Sequence, residues 1–265
     1  MDVHQKYAAL RAQFDPSQRV LVAYSGGIDS TLVLKAASEE IGHGVLGITA
    51  DSPSIPRREL KQAQRIARDI GVEHRIVSTE ELDNPNYSRN PKNRCYYCKF
   101  TLYSNLVDIA QKEGFSHIAN GTNLDDMGDY RPGLDAANEF RVISPLRDAG
   151  LTKEDTRSVA RMLNLEIWDK PASPCLSSRI PYGEPVTKAK LGMIEAAEDF
   201  LHGLSIRELR VRHFGATARI ETRREDFPII HQYRDKITGQ LQDIGFVDCE
   251  FSEFKSGSLN SHINI

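Results

Sequence analysis

Apolar residues follow two rhythms along this chain. Short apolar runs stand at residues 19–24, 44–50, 74–77 and 117–123, each closed by polar or small residues. Their length predicts buried strands. Between them, residues 31–37, 57–70, 99–113 and 152–163 carry apolar positions at helical spacing, and Thr152 with Asp155 marks an N-terminal cap for the last of these. Residues 1–18 predict a further helix ending near Asp15-Pro16, and residues 141–146 a last strand. Strands alternating with helices predict an α/β fold: a doubly wound, mostly parallel sheet with helices on both faces.

The rhythm changes after Trp168-Asp169-Lys170-Pro171-Ala172. A helix is expected at 187–201, a hairpin from 207–213 and 216–222 around Phe214-Gly215, a largely helical stretch at 224–244 and a strand at 246–251. This αββαβ order predicts a smaller C-terminal α+β domain. The expected boundaries are 1–170 and 171–265. The stretch 80–94, rich in Asn and Pro, reads as a loop, and the Ser/Asn/Gly-rich tail from Lys255 as loose.

Composition narrows the class. The chain has 265 residues, a net charge of −3 and 27% charged residues. That balance argues against a protein that coats nucleic acid. No apolar run reaches the ~18 residues of a membrane span, and the polar start has no signal-peptide pattern. A cytoplasmic protein with no membrane and no nucleic-acid partner is expected. In that compartment four cysteines predict ligands, catalysts or core residues in place of disulfides.

The chemistry begins at Ser25-Gly26-Gly27-Ile28-Asp29-Ser30, between a strand and a helix. Two glycines let backbone approach an anion, and the helix start offers unpaired N–H groups and partial positive charge. Ser25 and Ser30 can add hydroxyl donors, and Asp29 can help to hold a metal. No Gly-Lys-Ser/Thr follows, so this is not a Walker A loop. Ligands of doubly wound sheets sit at the carboxyl ends of strands. Ala50 and Asp51 are therefore placed to meet adenine or ribose. Gly121-Thr122-Asn123 leaves another strand end, followed by Asp125 and Asp126, which suit Mg²⁺ beside phosphates.

Cys95-Tyr96-Tyr97-Cys98 at a helix start has three mechanical uses: a redox pair, half of a zinc site, or part of an iron–sulfur site. Without a thioredoxin-like setting, metal or cluster ligation is the expectation. Cys175, in a Pro-flanked loop near Arg179, is a candidate thiolate. Arg210 and Arg212 share one face of their strand, which suits a phosphate clamp or an ordinary solvated sheet face. Cys249, between Asp248 and Glu250, reads as a core residue.

Ser25–Ser30 resembles the PP-loop of the ATP-pyrophosphatase superfamily, which grips the pyrophosphate released when ATP adenylates a substrate. Further segments make the resemblance more specific: Gly121-Thr122-Asn123-x-Asp125-Asp126, Asp129-Tyr130-Arg131-Pro132-Gly133, Trp168–Ala172, Cys175–Gly183 and Arg210-Val211-Arg212. Together they are similar to the LarE family, ATP-dependent sulfur-insertion enzymes of nickel-pincer nucleotide biosynthesis. The resemblance implies a small mononucleotide substrate, ATP, Mg²⁺ and assembly into a hexamer.

It implies adenylation of a carboxylate of pyridinium-3,5-biscarboxylic acid mononucleotide, then displacement of AMP by sulfur. Ser25, Gly26, Gly27, Asp29, Ser30, Ala50, Asp51, Gly121 and Asn123 would bind ATP, with Asp29 also catalytic. Ser178, Arg179, Arg210 and Arg212 would hold the substrate phosphate. Asp126, Glu198 and Glu221 are candidates for divalent metal. One branch of the family sacrifices the sulfur of the cysteine matching Cys175. Another carries a 4Fe-4S cluster on three cysteines. Cys95, Cys98 and Cys175 match the cluster branch, fed by an unidentified sulfide donor. A tRNA thiolase is the nearest rival, and it predicts a broad basic surface.

Overall fold

The structure, a computed structural model, describes residues 1–128 and 132–255. In chain order the elements are α1 (Val3–Arg11), β1 (Val20–Ala23), α2 (Ile28–Ile41), β2 (Val45–Asp51), α3 (Arg57–Ile70), β3 (Glu73–Ser78), α4 (Pro85–Ser88), α5 (Arg94–Glu113), β4 (His117–Ala119), α6 (Pro132–Glu139), α7 (Pro145–Asp148), α8 (Lys153–Met162), α9 (Lys188–His202), β5 (Leu209–Phe214), β6 (Thr217–Thr222), α10 (Phe227–Gln232), α11 (Arg234–Ile244) and β7 (Asp248–Glu253). Asp129, Tyr130 and Arg131 lie outside the described residues, as does the tail from residue 256. Among the described residues no helix is long and apolar enough to cross a membrane.

The first unit comprises residues 1–81 and 93–173. Its four strands run parallel in the order β3-β2-β1-β4. Strand alternation divides its core into two. Val20 and Val22 point to a cluster with Leu32, Ala36, Ala63 and Val159, from α2, α3 and α8. Leu21, Leu46 and Ile48 point to the opposite cluster, with Leu102, Leu106 and Ala136 from α5 and α6. This is the doubly wound arrangement that the sequence pattern predicts.

The second unit comprises residues 82–92 and 174–265. Its sheet has the order β5-β6-β7, antiparallel then parallel. One face packs on α9, α10 and α11 through Leu201, Val211, Ile220, Ile230 and Leu241. Cys249 lies against this core, with the Thr238 hydroxyl 3.5 Å from its sulfur. The chain passes into the second unit after Ser173, and the excursion 82–92, a polar loop in the sequence, also belongs to that unit.

Three elements differ from expectation for identifiable reasons. Residues 141–146 contribute one bridge, Ala119 to Ile143, because Pro145 has no N–H to donate and instead opens α7. The first helix stops at Arg11 and is capped at Ala12. The fifth helix starts at Arg94, five residues before Lys99. No Gly or Pro separates the two, so Cys95 and Cys98 ride on its first turns, not on a preceding loop.

Candidate active site

Two clusters carry the candidate residues, one in each unit. In the first, β1 delivers Ser25 to the start of α2. Gly26 has φ +72°, and a Cβ there would lie 2.7 Å from the Ala63 Cβ of α3. The loop therefore needs glycine twice over, for its left-handed backbone and for its contact with α3. The N-cap of α2 is Gly27, which has no side chain to cap the helix. Its first N–H groups face the loop with their partial positive charge.

The serine hydroxyls brace this loop from within. Ser30 Oγ donates to Gly27 O at 3.1 Å and accepts from Ser25 N at 3.1 Å. With its single hydrogen used, Ser30 accepts the Ser25 hydroxyl at 3.0 Å. Gly27 N in turn donates to Ser25 Oγ at 3.3 Å. Sequence reading offered both hydroxyls to a ligand. The structure gives them first to the shape of the loop.

The exit of β4 closes on the same loop. A Cβ at Gly121 would stand 2.6 Å from Ser30 N, so only glycine permits this approach. Asn123 Nδ2 then donates to Asp29 Oδ1 at 3.1 Å. Asn123 and Asp126 exchange bonds, Asn123 N to Asp126 Oδ2 and Asp126 N to Asn123 Oδ1, each 3.2 Å. The Lys153 ammonium lies 3.2 Å from Asp126 Oδ1. Burial pushes the Asp29 carboxyl above the ordinary aspartate range; the Asn123 bond opposes the shift, and the charge of Asp126 adds to it. Two neighbouring carboxylates, both hydrogen-bonded and that of Asp126 buried, fit a hard cation that takes its other ligands from phosphate and water.

At the end of β2, Asp51 is bound by Arg57, which also donates to Ser52 O at 2.6 Å and Ile55 O at 2.8 Å. The guanidinium thus shapes the turn after Ala50 and Asp51. A second cation, Lys170, was given no role from the sequence. Lys170 Nζ donates to Glu59 Oε2 at 2.6 Å and Gln62 Oε1 at 2.5 Å, and stands 3.4 Å from Gly26 O. It ties the glycine turn to α3 from 144 residues away. Its only signal was the motif Trp168–Ala172. Lys170→Met would leave Glu59 without this counter-charge and the Gly26 carbonyl unsupported. A charge-assisted bond contributes about 1.5–3 kcal/mol, so amide hydrogen exchange at Gly26 and Gly27 is expected to speed up about tenfold or more in this variant. Unchanged exchange would remove Lys170 from the loop's support.

In the second unit, Cys175 precedes a 3₁₀ turn, Leu176–Arg179. Arg179 is 1% exposed, and its guanidinium forks onto Glu198, with Nε to Oε1 at 2.8 Å and Nη2 to Oε2 at 3.1 Å. Its Nη1 donates to Pro174 O at 2.6 Å and Cys175 O at 3.1 Å. Glu198 also accepts Val211 N at 3.0 Å. Arg212 donates to Glu221 Oε2 at 2.9 and 3.0 Å and to Ser178 O at 2.7 Å. Glu198 and Glu221 are thus counter-ions of buried arginines. Arg210 is pushed down to about 10, by burial first and then by Arg179 and Arg212. It stays charged at neutral pH, and an incoming anion relieves the crowding of three cations.

The four cysteines form no disulfide. Cys95 is exposed and Cys98 half-exposed on one face of α5, three residues apart, while Cys175 belongs to the second unit. Among the described residues no three His, Cys, Asp or Glu side chains gather as a ligand set. The thiol pair alone therefore fits part of a cluster's ligation.

Residues 19–166 match the family model described as the arginosuccinate synthase N-terminal HUP domain. Along nearly its whole length the chain is 37% identical to the pyridinium-3,5-bisthiocarboxylic acid mononucleotide synthase of Lactiplantibacillus plantarum, over 96% of this chain and 94% of that one. The chain belongs to the LarE family. An uncharacterized protein of Synechocystis is 43% identical over 97% of this chain and 98% of its own. A tRNA-specific 2-thiouridylase of Rickettsia felis is 25% identical over 69% of this chain and 61% of its own. As a LarE-family chain this is an enzyme of the PP-loop class, and the loop of Ser25–Ser30 is the PP-loop by position, between β1 and α2.

Proposed function

We propose that this enzyme uses ATP to convert a carboxylate of pyridinium-3,5-biscarboxylic acid mononucleotide into a thiocarboxylate, for nickel-pincer nucleotide biosynthesis. The observation that carries the reading is the match to the Lactiplantibacillus plantarum synthase over 96% of the chain. A tRNA thiolase is less favoured, since that likeness is weaker and spans 69% of the chain.

A carboxylate resists attack because its leaving group is poor. In the proposed sequence a carboxylate oxygen attacks the α-phosphorus of ATP, the α–β phosphoanhydride bond breaks, and pyrophosphate leaves with the bond electrons. The N–H groups at the start of α2 would stabilise charge growing on pyrophosphate, and Asp29 with Asp126 would hold Mg²⁺, which withdraws that charge. Ala50 and Asp51 would face the nucleoside. Sulfide then attacks the carbonyl carbon, the bond to AMP breaks, and a thiocarboxylate remains. Ser178 and Arg210, in the field of Arg179 and Arg212, would receive the substrate phosphate.

The proposed sulfur source is a 4Fe-4S cluster held by Cys95, Cys98 and Cys175, which when loaded presents a transferable sulfide. Cysteine number and spacing support this. The rival source is the sulfur of Cys175 itself. Glu198 and Glu221, each paired with a guanidinium, would be the candidates for a second divalent metal beside the substrate phosphate. The test is turnover with ATP and the mononucleotide. Pyrophosphate and thiocarboxylate are expected together, and Asp29→Asn is expected to slow pyrophosphate release about a hundredfold. Absence of any mononucleotide-dependent pyrophosphate release would overturn the substrate assignment, and pyrophosphate release with sulfide supplied but no sulfur-containing product would overturn the sulfur transfer.

A further inference from the structure

Residues 82–92 are a polar interruption in the sequence, yet they fold with the second unit. The reason is Asn90. It is fully buried and adopts φ +57°, a left-handed backbone that asparagine tolerates better than most residues. Its Nδ2 donates to three carbonyls: Pro181 O at 2.7 Å, Glu184 O at 2.9 Å and Ile180 O at 3.3 Å. Its own carbonyl accepts Gly183 N at 2.9 Å, and two residues earlier Ser88 O accepts Val186 N at 2.8 Å. One amide therefore gathers the backbone from Ile180 to Glu184 into a single turn.

The same excursion reaches closer to Cys175. The Tyr87 hydroxyl lies 2.7 Å from Ser177 Oγ, with both residues buried. Ser177 O accepts Ile180 N at 3.2 Å, and Cys175 O accepts Ser178 N at 3.0 Å. Arg179 grips Cys175 O from the other side. Residues 87–90 thus bond Ser177 within the Leu176–Arg179 turn and the backbone that follows it, while Ser178 N and Arg179 of the same turn hold Cys175 O.

We propose that residues 87–90 are the template for the Cys175 loop, with Asn90 the positioning residue that sets where the Cys175 sulfur stands during sulfur transfer. The consequence for transfer rests on the function proposed above. The consequence for the loop does not. Asn90 touches no reacting atom; it acts through Ile180 and Pro181. Its backbone conformation and its donors are separable, because Asn90→Gly keeps the left-handed backbone and removes all three Nδ2 bonds.

The experiment uses the full chain with two readouts. The first is the rate at which iodoacetamide alkylates Cys175, measured by peptide mass spectrometry relative to Cys249. In Asn90→Gly this ratio is expected to rise about tenfold, as a local opening no longer has to break the three bonds. An unchanged ratio would overturn the template. The second readout is thiocarboxylate formed per pyrophosphate released. A sulfur misplaced by about 1 Å is expected to lower that ratio by up to a hundredfold, whereas a merely weakened fold would lower both products together. If the wild type makes no thiocarboxylate, the functional reading fails while the alkylation ratio still decides the template. Should Asn90→Gly not fold, Tyr87→Phe, which removes one hydroxyl, carries the same comparison with a smaller expected rise.

Discussion

Cys95→Ala is expected to abolish thiocarboxylate formation while pyrophosphate release stays within about twofold of wild type. Cys95 is exposed on the first turn of α5 and contributes to neither core cluster of its unit, so its loss is structurally mild. The PP-loop, Asn123, Asp126 and Lys170 do not include it. A three-thiolate cluster would lose a ligand, and with it the renewable sulfide. If Cys175 is consumed instead, Cys95→Ala still makes about one product per chain, and the spent protein loses the mass of one H₂S. Anaerobic iron and sulfide analysis supplies an independent readout. Near four irons and four sulfides per wild-type chain, lost in the variant, would support the cluster; full transfer by the variant would sink it.

Arg179→Met is expected to destabilise the second unit by about 3–5 kcal/mol, because removal of one partner strands a buried charge. Glu198 is 0% exposed and its carboxylate receives the Arg179 fork. Urea unfolding of the variant, followed by a probe on β5 or α9, should show a lower midpoint. The double variant Arg179→Met with Glu198→Leu should recover part of the loss, since paired buried ions are often replaceable by apolar residues at little net cost. Recovery stays incomplete, because Val211 N loses the acceptor that Glu198 supplied, which costs about 1–3 kcal/mol for a buried unpaired group. A single variant as stable as wild type would show that Arg179 is not the pillar of this loop.

The bonds around Arg179 and Arg212 separate what the arginines do. The family resemblance implied that Arg179, Arg210 and Arg212 act alike on a phosphate. The geometry assigns different work. Arg179 and Arg212 fix Cys175 O and Ser178 O through bonds backed by Glu198 and Glu221. Arg210 sits within their field with its charge poorly tolerated. A phosphate would meet a site already built, in which little ordering remains when the ligand arrives.

The parts of this enzyme that could be read directly were those governed by local rules. Short apolar runs placed β1 and β2, and helical spacing placed α3, because these patterns depend only on near neighbours along the chain. Two adjacent glycines before a helix announced the PP-loop, because an anion needs close backbone and open N–H groups. Cys95 and Cys98 were legible as a pair, since one helical turn makes them neighbours. Lys170 and Asn90 left no such trace. Lys170 meets Gly26 across 144 residues, and Asn90 meets Pro181 across 91. An asparagine in a polar loop and a lysine before a proline look the same whether they face solvent or hold a loop. Only the folded chain gives each its partners, because a long-range hydrogen bond has no period along the sequence.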